Sequence, residues 1–224
     1  MTFNKLQIFQ NVLSLLPPGR LLDLGARRGN FSLAAARLGW TVTAVDARTV
    51  RFPNPLSLDN VLMANLIRSV RWVQADVLDY PIQPREFDLI CILGLLHHMD
   101  VSDQQSLLQR CSTRLTLIDI RTAPVSIDQI NGYEGELHRE DRGPLPTASW
   151  DHPHAFRHTE ASLLRLVRDS GYPRTMQMLP AHRRNYSFYL CLPHSQQSYQ
   201  RVMPRNLRFP PRGDKTSEPR AVAL

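Results

Sequence analysis

The chain has 224 residues, 42% of them hydrophobic, and a formal net charge of +7. That is room for one α/β domain with a sizeable core, and no run approaches the ~18 uninterrupted apolar residues of a membrane span. The charge does not by itself call for nucleic acid. From Ser195 onward Arg201, Arg205, Arg208, Arg212, Lys215 and Arg220 stand against Asp214 and Glu218, so four of the seven charges belong to the tail.

The first predicted element is a helix over Asn4–Leu16, where Leu6, Phe9, Val12, Leu13 and Leu16 recur at helical spacing before Pro17-Pro18. This interrupted pattern after Lys5 does not read as a signal peptide. An apolar strand over Arg20–Leu24 then ends in a turn bounded by Gly25 and Gly29, followed by a helix over Asn30–Leu38. A β-branched strand over Thr41–Val45 ends on Asp46. Strand, glycine turn, helix, strand and acid make the first unit of a nucleotide-binding sheet. The glycines let the backbone turn tightly and approach a ligand, and the terminal acid is placed to accept from both ribose hydroxyls.

Asp23 lies just before the glycine turn. A carboxylate there would repel a pyrophosphate but attract an ammonium. S-adenosylmethionine carries an ammonium and a sulfonium and has no phosphate, so the electrostatics favour it. Each residue also has a plain structural reading. The glycines could form an ordinary turn, Asp46 could cap a helix, and Asp76 could be a solvated strand-end acid.

Further along, a helix is predicted over Leu58–Ile67, strands over Arg71–Gln74 and Phe87–Leu93, a helix over Ser102–Arg110 and a strand over Leu115–Ile120. Alternating strands and helices imply parallel pairing with helices on both faces, and a ligand outside the carboxyl ends of strands one and four. From Ala123 to His158 the periodicity stops. Aromatics and histidines interspersed with glycine and proline argue for a functional insertion, taken here as 124–158, over a disordered loop. Thr159 then caps a helix ending at Gly171, and strands follow over Thr175–Leu179 and Ser187–Leu192. Residues 1–194 are expected to form one domain, and the basic 195–224 tail to be disordered. Cys91, Cys111 and Cys191 sit in apolar surroundings with no C-x-x-C, which suits buried thiols in a reducing cytoplasm. The eight histidines show no ligand spacing, so no metal is expected.

Four motifs in order resemble the class I S-adenosylmethionine-dependent methyltransferases, over roughly Arg20 to Leu192. Asp23, Gly25 and Gly29 fall on the family's D-x-G-x-G-x-G, with Arg27 in place of the middle glycine. Asp46 matches the ribose acid. In Trp72-Val73-Gln74-Ala75-Asp76-Val77, Asp76 matches the acid that accepts from the adenine amino group. The run from Phe87 through Gly94 to His97-His98 matches the fourth strand and its exit. The resemblance implies a doubly wound, seven-stranded, mostly parallel Rossmann-like sheet with its last strands antiparallel. It also implies S-adenosylmethionine as cofactor, held by Asp23, Gly25, Gly29, Asp46, Asp76, Val77 and Gly94. The first helix would cover the cofactor cleft or simply pack, and the insertion would contact the acceptor.

Methyl transfer from a sulfonium is an in-line displacement, and orientation alone can supply ~7–11 kcal/mol. Activating a hydroxyl usually needs a base, and a histidine suits that role. His98, following the fourth strand, is the first candidate and His97 the second. The alternative is that they cap the next helix or touch the cofactor. Tyr133, Trp150, His158, Arg183 and Tyr186 are candidates for acceptor contact, with Glu160 beside them; Arg183 and Arg184 would suit an anionic group. The chain lacks the N-P-P-Y or D-P-P-Y sequence of base amino-methylation and a Pro-Cys nucleophile. The expectation is therefore a cytoplasmic enzyme methylating a small molecule or glycan, at oxygen rather than nitrogen, with no nucleic-acid partner and no membrane insertion. Two alternatives stay open: an RNA or protein methyltransferase docking through its basic tail, and a cofactor-binding regulator without catalysis.

Overall fold

The computed structural model describes residues 5–48, 53, 61–83, 85–140, 153–183 and 186–194. Helix α1 (Lys5–Ser14) buries Ile8, Phe9, Val12 and Leu13, the stripe read from its spacing. Strand β1 (Arg20–Leu24), helix α2 (Asn30–Arg37) and strand β2 (Thr41–Asp46) form the expected βαβ unit. Helix α3 (Val61–Ser69) and strands β3 (Arg71–Gln74) and β4 (Leu89–Leu93) follow. A short 3-10 turn, Leu96–His98, leads into helix α4 (Val101–Cys111) and strand β5 (Leu115–Arg121). An insertion carrying β6 to β8 separates these from helix α5 (Glu160–Asp169) and strands β9 (Arg174–Arg183) and β10 (Tyr186–Leu192).

The seven strands run β3-β2-β1-β4-β5-β10-β9. The first five pair in parallel, whereas β10 is antiparallel to both β5 and β9. Both faces are covered, so the central strands read as continuous apolar runs, yet alternate residues still part to opposite sides. Leu21, Val42, Ala44, Cys91 and Leu117 pack under α1 and α2. Leu22, Leu24, Val45, Ile90, Ile92 and Ile118 pack under α4 and α5. Each leucine buried this fully contributes ~1.5–3 kcal/mol by leaving water. The chain order reverses between β1 and β4, which opens a crevice at their carboxyl ends.

The insertion departs from the expected irregular segment. It is a three-stranded antiparallel sheet of β6 (Asp128–Ile130), β7 (Tyr133–Arg139) and β8 (His154–His158). Asn131 and Gly132 join β6 to β7, both at positive φ, 52° and 79°. That pair of left-handed residues matches the twist of a tight hairpin, and Asn-Gly is its usual sequence. This small sheet is stitched to the main one. The Phe156 amide donates to the Met99 carbonyl at 2.9 Å, and Gln104 Nε2 donates to the carbonyls of Met99 and Phe156. Its outer end meets α5, where the Glu134 amide donates to Ser162 Oγ and the Tyr133 hydroxyl to Asp169.

Candidate active site

The donor half of the crevice is built from backbone. Gly25 and Gly29 sit at φ +76° and +71°, a conformation that L side chains rarely adopt. Space is restricted as well. A Cβ at Gly29 would run into the Trp72 ring, and one at Gly25 would come 3.1 Å from the Leu95 side chain. Trp72 is itself held there, its indole donating to the Ile67 carbonyl at 2.9 Å. Arg27, where the family pattern has glycine, adopts φ +55° and bears the left-handed strain. Its amide donates to Asp46 Oδ2 at 2.9 Å, and the Arg48 amide to Oδ1 at the same distance. Asp46 thereby ties the glycine loop to the end of β2.

Asp23 is 2% exposed and accepts from Ser32 Oγ at 2.5 Å. Burial pushes its pKa up to about 6, with the nearby Asp46 charge adding to the rise and the Ser32 hydroxyl and Lys5 opposing it. A buried carboxylate so short of positive charge is a receptor for a cation. Asp76, just beyond β3, accepts from the Leu78 amide at 2.9 Å, and Val77 beside it is buried. The Asp46 carbonyl accepts from the Ala75 amide, so the ends of β2 and β3 are joined. Gly94 follows β4 at φ +72°, and a Cβ there would come 2.9 Å from Lys5 Nζ. The expected donor residues thus gather at the carboxyl ends of β1 to β4. Three acids, Asp23, Asp46 and Asp76, stand among them.

Lys5 and Asp119 were not among the expected site residues, and they meet in the middle of the crevice. Asp119, fully buried at the end of β5, is ion-paired with Lys5 from α1. Burial pushes the Asp119 carboxyl up, while Lys5 pulls it back. Lys5 also lies over the Phe31 ring, 5.6 Å from its centroid. The clue in the sequence was composition: two lysines among 27 basic residues, one of them on α1.

The acceptor half is built from side chains. His97 is 5% exposed, and its Nδ1 accepts from the Arg121 amide at 3.4 Å. Burial, with His98 and other cations nearby, pushes its pKa down to about 2, so His97 is neutral. Its ring lies 4.4 Å from that of His98 and stands edge-on to Tyr186 at 6.1 Å. His98 Nδ1 is 3.0 Å from Glu140 Oε2, off the alignment of an ideal hydrogen bond. His138 Nε2 is 2.7 Å from Glu140 Oε1. Burial lowers the His98 pKa, and the Glu140 charge opposes that shift. Neither imidazole caps the next helix: Asp100 does, accepting from the Asp103 amide at 2.8 Å.

Of the expected acceptor residues, Tyr186 joins the histidines. Tyr133 and His158 do not. Both face the packed side toward α5, where His158 is fully buried against the Tyr133 and Phe156 rings and its Nδ1 lies 3.0 Å from Ser162 Oγ. Burial pushes the His158 pKa down to about 4, the mark of a neutral core imidazole. Glu160 accepts from the Tyr189 hydroxyl at 2.7 Å within the fold. Arg183 pairs by its backbone with Tyr186, while its side chain, Arg184 and Trp150 lie outside the described part. Among the described residues no group of three His, Cys, Asp or Glu is placed to hold a metal.

Residues 21–116 match a family model described as a methyltransferase domain. That stretch carries the methyltransferase-domain match, and the sheet order around it is the Rossmann-like one of S-adenosylmethionine-dependent methyltransferases. Solved structures agree on the fold at low identity. The N-terminal domain of EvdMO1, crystallised in the presence of S-adenosylhomocysteine and D-fucose, has a TM-score of 0.64 at 19% identity. That likeness covers 84% of this chain and 79% of that one. A putative O-methyltransferase from Nostoc punctiforme scores 0.61 at 16% identity, over 85% of this chain and 56% of its own. The glycopeptide N-methyltransferase MtfA, complexed with S-adenosylmethionine, scores 0.57 at 15% identity, over 85% and 94%. No curated protein matches the sequence.

Proposed function

We propose that this enzyme methylates a hydroxyl oxygen of a small molecule or glycan, with His98 as general base, and that it works in the cytoplasm. The observation that carries the reading is a half-buried imidazole beside a buried carboxylate, His98 on Glu140, at the exit of β4. A neutral imidazole oriented in this way is a competent base for a hydroxyl near neutral pH. An amine acceptor has no need of one. The neighbouring structures include N- and O-methyltransferases, and one was crystallised in the presence of D-fucose, a hydroxyl-rich compound. Among the described residues no helix is long and apolar enough to cross a membrane.

The bound donor supplies an electrophilic methyl group on sulfur. Asp46 would receive the ribose hydroxyls, its carboxylate having room for further donors beyond the two amides it holds. Asp23 would receive the ammonium, Asp76 the adenine amine, and Val77 would cover the base. Gly25, Gly29 and Gly94 keep the crevice clear of side-chain atoms. On the other side His98 takes the proton of the attacking hydroxyl at Nε2, and the resulting imidazolium is stabilised by Glu140. Tyr186 and His97 would line the acceptor's approach. In this reading residues 1–194 form the catalytic domain, with 124–158 shaping the acceptor side and the 195–224 tail outside it.

The test is incubation with methyl-labelled S-adenosylmethionine and a pool of hydroxylated metabolites and sugars, with products identified by mass spectrometry. An O-methyl product from the wild type, reduced about 10²- to 10⁴-fold in His98→Gln, is expected. An N-methyl product, or equal turnover by the variant, would overturn the assignment.

A further inference from the structure

The inserted sheet does more than shape the acceptor's approach. Glu140 stands at its inner end, 8% exposed, with each carboxylate oxygen beside a different imidazole. One imidazole, His98, belongs to the turn after β4; the other, His138, lies two residues before Glu140 on β7. The Glu140 amide donates to the Pro153 carbonyl at 3.0 Å, which carries the β7–β8 pairing one step past Arg139 and His154. The next strand of that pairing is bonded to Met99, immediately after His98. Backbone constraints therefore hold the carboxylate against the histidine from both sides.

We infer that Glu140 is the positioning residue of His98, held in register by His138, so that docking of the inserted sheet assembles the base. This rests on the reading of His98 given above. A carboxylate accepts, so its charge favours a proton on the nitrogen that faces it. For His98 that places the proton on Nδ1 and leaves the Nε2 lone pair to take the acceptor's proton. For His138 the proton is on Nε2. Its Nδ1 is buried with no hydrogen-bond partner among the described residues, which suits a ring kept for what its other nitrogen does. With both oxygens engaged, the carboxylate cannot rotate away, and its charge stays beside the imidazolium that forms on His98. The other groups bearing on the pair are Arg27 on the glycine loop, His97 from the same turn and Arg157 from β8, while Lys5 from α1 acts on His97. Arg27 and His138 resist protonation of His98, and Glu140 is the acid that favours it. A purely structural staple would need neither a fixed tautomer nor a charge.

The measurement is the long-range nitrogen-proton NMR spectrum of histidine-labelled full-length protein across pH, which reads tautomer and titration without an acceptor. In the wild type His98 is expected as the Nδ1–H tautomer. Glu140→Gln should mix the tautomers and move the His98 titration to lower pH, and His138→Gln should do the same less strongly. With labelled donor and the hydroxylated pool, Glu140→Gln should lower kcat about 10- to 100-fold with the donor KM unchanged. If Glu140→Gln fails to fold, His138→Gln carries the same readouts. An unaltered tautomer and titration in whichever variant folds would overturn the inference. Full turnover by His98→Gln would instead overturn the base itself. An inactive His98→Gln beside a fully active Glu140→Gln would overturn the positioning role alone.

Discussion

The two halves of the crevice are made in different ways. On the donor side the recognising groups are successive strand ends and one glycine loop, and their relations are set by local backbone. Asp23 and Asp46 belong to neighbouring parallel strands, and Gly25 to Gly29 is five residues of turn. On the acceptor side the groups come from β4, β5, β7 and β10, and they meet because separate elements dock. His98 and Glu140 are 42 residues apart, with α4, β5 and β6 between them in the chain. A site of the first kind is robust to changes elsewhere and rigid toward its ligand. The second kind is open to change, because a new insertion brings a new set of side chains.

The sharpest way to break that contrast is a crossed pair of variants. His98→Gln should cost about 3–5 kcal/mol in transfer, the equivalent of 10²- to 10⁴-fold, and leave donor affinity as it was in calorimetric titration. Asp46→Ala should weaken donor binding by about 1.5–3 kcal/mol, since hydrogen bonds to a charged acceptor are lost. It should also loosen the Arg27 turn. If both variants lost donor binding equally, the halves would not be separable.

Asp23 sharpens the comparison through pH. Its folded pKa, about 6, lies above the unfolded value near 3.8, so the native state holds the proton more tightly. The stability contributed by the neutral acid is complete at low pH and is lost as pH rises from about 4 through about 6. Above that the buried charge costs up to about 3 kcal/mol, the two-unit shift converted at 1.36 kcal/mol per unit. Asp23→Asn, which still accepts from Ser32, should therefore raise the unfolding free energy at pH 8 by no more than this. Little change is expected at pH 4. Donor affinity should fall in the same variant at pH 8, where the wild-type carboxylate is charged and the variant offers the ammonium no counter-charge. Stabilisation without that loss would remove Asp23 from the donor site.

The smallest expected effect is at Arg27. Replacing it by glycine relieves a left-handed conformation worth ~1–2 kcal/mol but restores ~0.5–1 kcal/mol of unfolded-chain entropy. The net gain in a chemical denaturation experiment should be within about 1 kcal/mol, with the amide bond to Asp46 kept.

The donor half was legible because each of its residues announces itself locally. Gly25 and Gly29 answer to positive φ, Asp46 ends a β-branched run, and Thr159 precedes an amphipathic helix it does cap. Periodicity placed every main strand within a few residues. The insertion was misread as irregular although Asn131-Gly132 lay in plain view, because β6 is three residues long and its pattern too short to register. Tyr133 and His158 looked like acceptor contacts since polar aromatics in a non-periodic segment suggest a binding loop. In a sheet, alternate residues face opposite sides, and these two point inward.

From residue order one could read the class of fold, the donor and the glycine turn after β1, since a run of ten or so residues specifies its own backbone and a parallel sheet aligns the runs. The pairing of His98 with Glu140 and His138, the Lys5 counterion of Asp119, and the inward turn of His158 had no local trace. Those depend on which surfaces come to rest against each other. That is set by packing over distances along the chain that no short-range pattern encodes.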